Sequence, residues 1–201
     1  MIPEYHFDRL SLGPIHLQVF GTLLVLGLIV GHSLLVRRAR ADDLASPRVI
    51  EGFAITLGAG ALIVGFVAER VIGLGLSSVA GAAGALAAGL VYALAFHLDL
   101  LRLADALASA FPAGWLLARL GCAAVHDHLS GPSTSIWAVQ FITGPRLDLG
   151  LIEAFLTPLL LLAAWLARRS RRPGAVAAAV SLVYPLIRFP LDFLRENDGK
   201  A

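Results

Sequence analysis

Two arginines stand inside stretches that otherwise suit lipid: Arg119 in AFPAGWLLARLGCAAV and Arg188 in SLVYPLIRFPLDFL. A guanidinium within a bilayer costs at least about 2.5–3.5 kcal/mol, so it marks a functional site by default. Each lies six or seven residues from the end of its apolar run. At about 1.5 Å per helical residue, that is roughly 10 Å below a membrane surface. Two cations at one depth make a site for a lipid phosphate.

Helical spacing gathers further groups around them. Tyr184, Arg188, Asp192 and Arg195 are four, four and three residues apart, which places them on one helical face. Asp192 can pair with Arg188, and the Tyr184 hydroxyl is a donor beside it. Pro185 and Pro190 each remove a backbone hydrogen bond, so a kink is expected there. Arg119 shares a face with Cys122, and Glu153 is a third charge at membrane depth, suited to pair with Arg119. In the plainer reading, these charges only pair with each other or snorkel to the headgroups.

The triplet His126, Asp127 and His128 follows closely. A histidine titrates near neutrality, so this triplet can supply a general base, with Asp127 as the acid alternative. As metal ligands the three are unspecific, because neighbours in sequence point apart and their spacing lacks the specificity of HExxH. Interfacial contact is the plainer role, and neither a metal nor a cofactor is expected.

The elements that must hold these residues are membrane helices. The chain of 201 residues is 58% hydrophobic, with mean hydropathy +0.79, beyond a soluble domain. Its single cysteine excludes an intrachain disulfide framework. The opening MIPEYHFDRLSLGP is polar and acidic rather than a basic leader, so no cleavable signal peptide is expected. The arginines are scattered over short loops, which argues against nucleic acid as a partner.

The expected fold is all-α: one integral membrane bundle of six spans near 14–36, 50–69, 72–96, 104–125, 150–167 and 174–194. Gly81, Ala85 and Gly89 form a small-residue stripe for close packing in the third. Arg37, Arg38, Arg40, Arg48, Arg102, Arg168, Arg169, Arg171 and Arg172 all fall in loops on one side of such a bundle. The positive-inside rule makes that side cytoplasmic. The other side holds Arg9, Arg70, Arg146, Arg195 and Lys200. Both termini, the long 126–149 loop and the arginine site then face outward, with the site in the outer leaflet.

Several segments together resemble the prolipoprotein diacylglyceryl transferases. LSLGPIHLQVFGTLLVLGLIVGHSLLVRRARADDL is similar to the family's opening, and ARLGCAAVHDHLSGPST resembles its "GRxGN…NGExxG" signature. LGLIEAF resembles "SQLYEA", and YPLIRFPLDFLREND resembles "YGxxRFxxEFxREPD". The resemblance runs in order over most of the chain. It implies a bacterial inner-membrane enzyme that moves diacylglycerol from phosphatidylglycerol to the lipobox cysteine of a preprolipoprotein, releasing glycerol phosphate. By motif position, Arg119 and Arg188 would bind the phosphate, with Tyr184 and Gly131 beside them. Glu153 would serve the chemistry with the histidine loop, while Asp192, Arg195, Glu196 and Cys122 would support.

The departures are specific. Val79 stands about where the family's third helix carries the histidine of its "HGG" motif, Cys122 where it has asparagine, and Ile152 where it has tyrosine. The resemblance also implies a seventh helix after the REND segment. His126 or His128 would have to stand in for the missing histidine. Two functions fit: an active, divergent transferase, or a phospholipid-binding relative that has shed the base.

Overall fold

The computed structural model describes residues 1–5, 7–13, 15–72 and 78–195; Glu196 and Lys200 lie outside them. The chain opens with three short strands, β1 (Ile2–Pro3), β2 (Arg9–Leu12) and β3 (Ile15–Gln18). Four helices follow: α1 (Val19–Ala41), α2 (Pro47–Ile72), α3 (Ser78–Ala95) and α4 (Leu100–Val125). Next come β4 (Leu129–Pro132), β5 (Val139–Phe141) and β6 (Gly144–Asp148), then α5 (Leu149–Ala167) and α6 (Ala175–Leu194).

Five of the helices are long and apolar enough to cross a membrane, and Val79–Ala95 forms a shorter apolar helix. The protein is therefore a multi-pass helical membrane protein, and each expected span overlaps one helix. Their side chains are distributed as lipid requires. Ile55, Leu62, Phe155, Leu182 and Leu186 are exposed, whereas Glu153, Thr157 and Arg119 are buried. Apolar groups outside and charges inside reverse the usual soluble arrangement.

Two compact units divide the chain, Met1–Gly31 with Leu107–Ala201, and His32–Ala106. In the second, α2 and α3 pack through glycines. A Cβ on Gly60 would come 2.5 Å from the Gly84 carbonyl oxygen, and one on Gly84 would meet both the Gly60 carbonyl and the Val64 side chain. The expected stripe is part of this seam: Gly89 lies against Leu57 and Phe53, and Gly81 against the Ala61 carbonyl. In lipid, such close backbone approach is a main source of helix association.

The first unit holds the candidate site. The first part of α1 meets α4 where Gly27 faces Gly114, each backbone leaving no room for a side chain on the other. Leu149, Leu160 and Ala164 of α5 pack with Val176, Val180, Ile187 and Leu191 of α6. The 126–149 stretch, expected as a loop, instead builds a sheet in the order β1-β5-β6-β4. Gly144, at φ 108°, makes the turn between β5 and β6 that a side chain would strain. The first span also needs correction. Residues 15–18, expected as its opening, pair with β2 as an antiparallel hairpin, and the helix starts at Val19.

The glycine seam yields a stability expectation. Gly84→Leu should destabilise the α2–α3 pair by about 1–3 kcal/mol, the usual range for overpacking. Gly58→Ala, whose Cβ meets nothing within 4 Å, should leave thermal unfolding in detergent unchanged or slightly raised. Equal melting shifts for the two would remove the seam from the account.

Candidate active site

The site is built where α4 ends, α5 begins and α6 ends. Asp148 caps α5 by accepting the Leu151 N–H at 3.0 Å. That cap fixes where the helix starts, and hence the depth and direction of Glu153 five residues later. The side chain of Glu153 is 1% exposed and is fully engaged. One carboxylate oxygen accepts from Trp115 Nε1 at 3.0 Å. The other lies 2.8 Å from Arg188 Nη1 and 3.2 Å from Arg119 Nε. One buried carboxylate thus bridges two arginines that are far apart in sequence.

The arginines are held differently. Arg119 is buried, its guanidinium 4.2 Å over the Trp115 ring, and Nη1 points to Cys122 Sγ at 3.7 Å. Arg188 is partly open and also pairs with Asp192 through Nη2 at 2.7 Å. Tyr184 sits edge-on to Trp115 and Phe111, with ring centroids 5.7 Å away in each case. A guanidinium has five N–H donors, so both arginines keep donors for an anion. Against the two guanidinium charges stand one buried carboxylate, Glu153, and one half-exposed carboxylate, Asp192, which water screens.

The triplet separates into two roles. His126 takes a positive φ of 52° at the end of α4, and both its ring nitrogens are occupied. Nε2 lies 2.6 Å from the Tyr5 carbonyl and Nδ1 2.7 Å from Asp148 Oδ2. A carbonyl only accepts, so Nε2 carries a hydrogen, and one shared proton lies between Nδ1 and Asp148. His126 therefore has no free lone pair for a thiol proton. The work its contacts do is structural. It ties the N-terminal segment to the start of α5, with its ring packed on Tyr5 and Phe141. Burial raises the Asp148 carboxyl above its usual range, against the hydrogen bonds from Leu151 and His126. Tyr5 is pushed up to about 12, by burial first and then by the Asp148 charge.

His128 is the open member. Burial lowers its imidazole below the usual value, and Arg119, Arg195 and Arg188 add to that against Asp127. A lowered value keeps it neutral, as a base must be. Its Nδ1 is buried without a hydrogen-bond partner, and Nε2 is 3.9 Å from Asp127 Oδ1. The Leu149 N–H donates to its carbonyl at 2.8 Å, which pins it to the start of α5.

Gly131 lies in β4 with open space where a Cβ would stand. Arg195 does not continue the α6 face as spacing suggested. The helix ends at Leu194, and Arg195 turns extended to bridge Ser130 of β4. The sheet is thereby tied to the end of the helix that carries Arg188. Val79 lies in the first turn of α3, in the other unit. Trp115, Asp148 and Tyr5 are contacts that the sequence reading passed over. Trp115 could have been found, since it stands four residues before Arg119 on the same helical face.

The fold and this cluster define a helical membrane protein with two arginines joined by one buried carboxylate. A sequence model of the prolipoprotein diacylglyceryl transferases matches residues 9–201. The phosphatidylglycerol–prolipoprotein diacylglyceryl transferase of Mannheimia succiniciproducens is 31% identical, over 98% of this chain and 82% of its own. Its counterpart in Nitratidesulfovibrio vulgaris is 28% identical, over 94% and 80%. That of Idiomarina loihiensis is 35% identical over 62% of this chain and 49% of its own. The chain belongs to the prolipoprotein diacylglyceryl transferase family.

Loss of the bridging carboxylate should be costly. Breaking a buried pair on one side typically costs about 3–5 kcal/mol, whereas exposed pairs give about 0–1. Glu153→Gln should therefore lower thermal stability well beyond Asp192→Asn. Similar melting temperatures for the two variants would contradict the bridge.

Proposed function

We propose that this protein transfers the diacylglyceryl group of phosphatidylglycerol to the lipobox cysteine of a preprolipoprotein at the outer leaflet of a bacterial inner membrane. The observation that carries the reading is the Glu153 bridge. It holds Arg119 and Arg188 together as one site with guanidinium donors to spare, in a chain of this family. The phosphodiester lies on the two guanidinium groups. Its acyl chains extend into the surrounding lipid, past exposed apolar residues such as Phe189 and Phe193 of α6.

The chemistry is an S-alkylation. The acceptor thiol gives up its proton and its sulfur attacks the glycerol carbon bonded to the phosphate oxygen. The carbon–sulfur bond forms as the carbon–oxygen bond breaks, and glycerol phosphate leaves with the electron pair. Negative charge therefore grows on the phosphate, where the arginines stabilise it. The thiol proton is removed at the Asp127–His128 end, since the His128 imidazole is neutral and has a free nitrogen. Tyr184 shapes the pocket beside Arg188, and Asp192 orients that arginine from the aqueous side. Glu153 stands near the start of α5, and Arg168 and Arg169 follow its end at Ala167, so positive-inside placement of these arginines turns the site outward.

Purified protein, phosphatidylglycerol and a synthetic lipobox peptide, followed by mass spectrometry, test this. The expected product is the peptide with a diacylglyceryl thioether on its cysteine. Removing one charge-stabilising donor typically costs about 10²–10³-fold in turnover, so Arg188→Ala should lose at least that much while Arg102→Ala keeps normal turnover. No thioether, or equal loss in both variants, counts against the proposal. For orientation, a membrane-impermeant label on a cysteine placed at Ser170 should react only from the cytoplasmic side.

A further inference from the structure

Beside the arginine pair lies a second group of side chains with its own chemistry. Cys122 Sγ, a carboxylate oxygen of Asp127 and an imidazole nitrogen of His128 all lie within 4.8 Å of one another. We propose that these three residues bind Zn²⁺ and present its open fourth position to the acceptor thiol. The role of the ion rests on the transferase reading above, but its binding does not.

The geometry is close to what zinc requires. With Zn–S near 2.3 Å and Zn–N or Zn–O near 2.0–2.1 Å, tetrahedral ligand atoms sit about 3.3–3.6 Å apart. The three side chains therefore need to close by about 1.5 Å at most. They can do so, because Cys122 is fixed in the last turns of α4 while Asp127 and His128 lie in the partly exposed turn beyond it. Adjacent ligands diverge in a bare sequence, but here the chain folds back on the helix end. The Asp127 N–H donates to the Cys122 carbonyl at 3.4 Å.

The donor set selects the ion. Thiolate, imidazole and carboxylate together suit Zn²⁺ rather than magnesium or calcium, which take oxygen. Three protein ligands with one position left open is the arrangement of reacting zinc. Electrostatics also agree. A thiolate and a carboxylate neutralise the dication, so the occupied site carries no net charge beside Arg119. The Arg119 Nη1 donor, 3.7 Å from Sγ, supports the thiolate. With Nδ1 of His128 as the ligating nitrogen, a buried atom that lacks a hydrogen-bond partner would gain one, and an unsatisfied group of that kind costs about 1–3 kcal/mol.

The consequence for the reaction is direct. A thiol that coordinates zinc loses its proton at neutral pH. The acceptor cysteine would displace bound water and release its proton to solvent. It would then be held as a thiolate next to the phosphate arginines. In this arrangement Asp127 and His128 act as ligands, and the ion does the work otherwise left to an imidazole base.

The test uses full-length protein in detergent, stripped with a chelator and titrated with Co²⁺, then competed with Zn²⁺. One equivalent of Co²⁺ should bind with a thiolate-to-cobalt charge-transfer band in the near ultraviolet and tetrahedral bands in the visible, all displaced by Zn²⁺. Cys122→Ser should abolish the charge-transfer band. His128→Ala and the half-exposed Asp127→Asn should each weaken binding at least tenfold, with helical circular dichroism unchanged. Failure to bind one equivalent, or binding indifferent to both His128→Ala and Asp127→Asn, overturns the site. Peptide transfer at one rate with and without Zn²⁺ overturns the ion's role and leaves the transferase reading intact. Cys122-dependent binding with no transfer in either state upholds the site and removes the transferase reading.

Discussion

The Glu153 carboxylate is the constraint on which the rest of the site depends. Two guanidinium groups at membrane depth would repel one another and shed their hydration at great cost. A single buried carboxylate between them, 2.8 Å from one and 3.2 Å from the other, makes their proximity possible. It does not cancel them fully. The guanidinium groups lie in a partly enclosed setting that includes Trp115 and Tyr184, where an anion is held more strongly than in open water.

Everything that fixes Glu153 therefore matters to the arginines. The Asp148 cap sets the first turn of α5. Asp148 is in turn held by His126, which is anchored on the Tyr5 carbonyl. Leu149 bonds back to His128, and Arg195 bridges to Ser130. Through these short connections a small sheet gathers the ends of α4, α5 and α6. Each contact is modest by itself, about 0.5–1.5 kcal/mol for an ordinary hydrogen bond. Their common effect is to place three helix ends so that one carboxylate reaches two cations.

How much of this was legible in the sequence follows from the same physics. Arg119, Arg188 and Glu153 stand out because a charge within an apolar run is conspicuous and expensive, and the i,i+4 rule gave the Arg188–Asp192 pair directly. The helices were legible because lipid demands long apolar runs. The sheet was not: its strands span two to five residues, include Gly131, Pro132, Gly144 and Pro145, and carry no clear alternation. Residues 15–18 were misplaced because a four-residue strand, IHLQ, runs directly into the helix and is too short for its alternation to stand out. His126 and His128 looked equivalent as residue types. Only their surroundings separate them, one enclosed by Asp148 and the Tyr5 carbonyl, the other left with an unpaired nitrogen.

The central claim is that Arg119 and Arg188, joined by Glu153, act as one anion site. The most direct measurement is phosphatidylglycerol binding by the wild type, Arg119→Ala, Arg188→Ala and the double variant, as a thermodynamic cycle. Groups that work as one unit give non-additive losses. Each single variant should lose nearly as much affinity as the double. Losses that simply add, or lipid binding untouched in either single variant, would mean that the two arginines do not form a shared site.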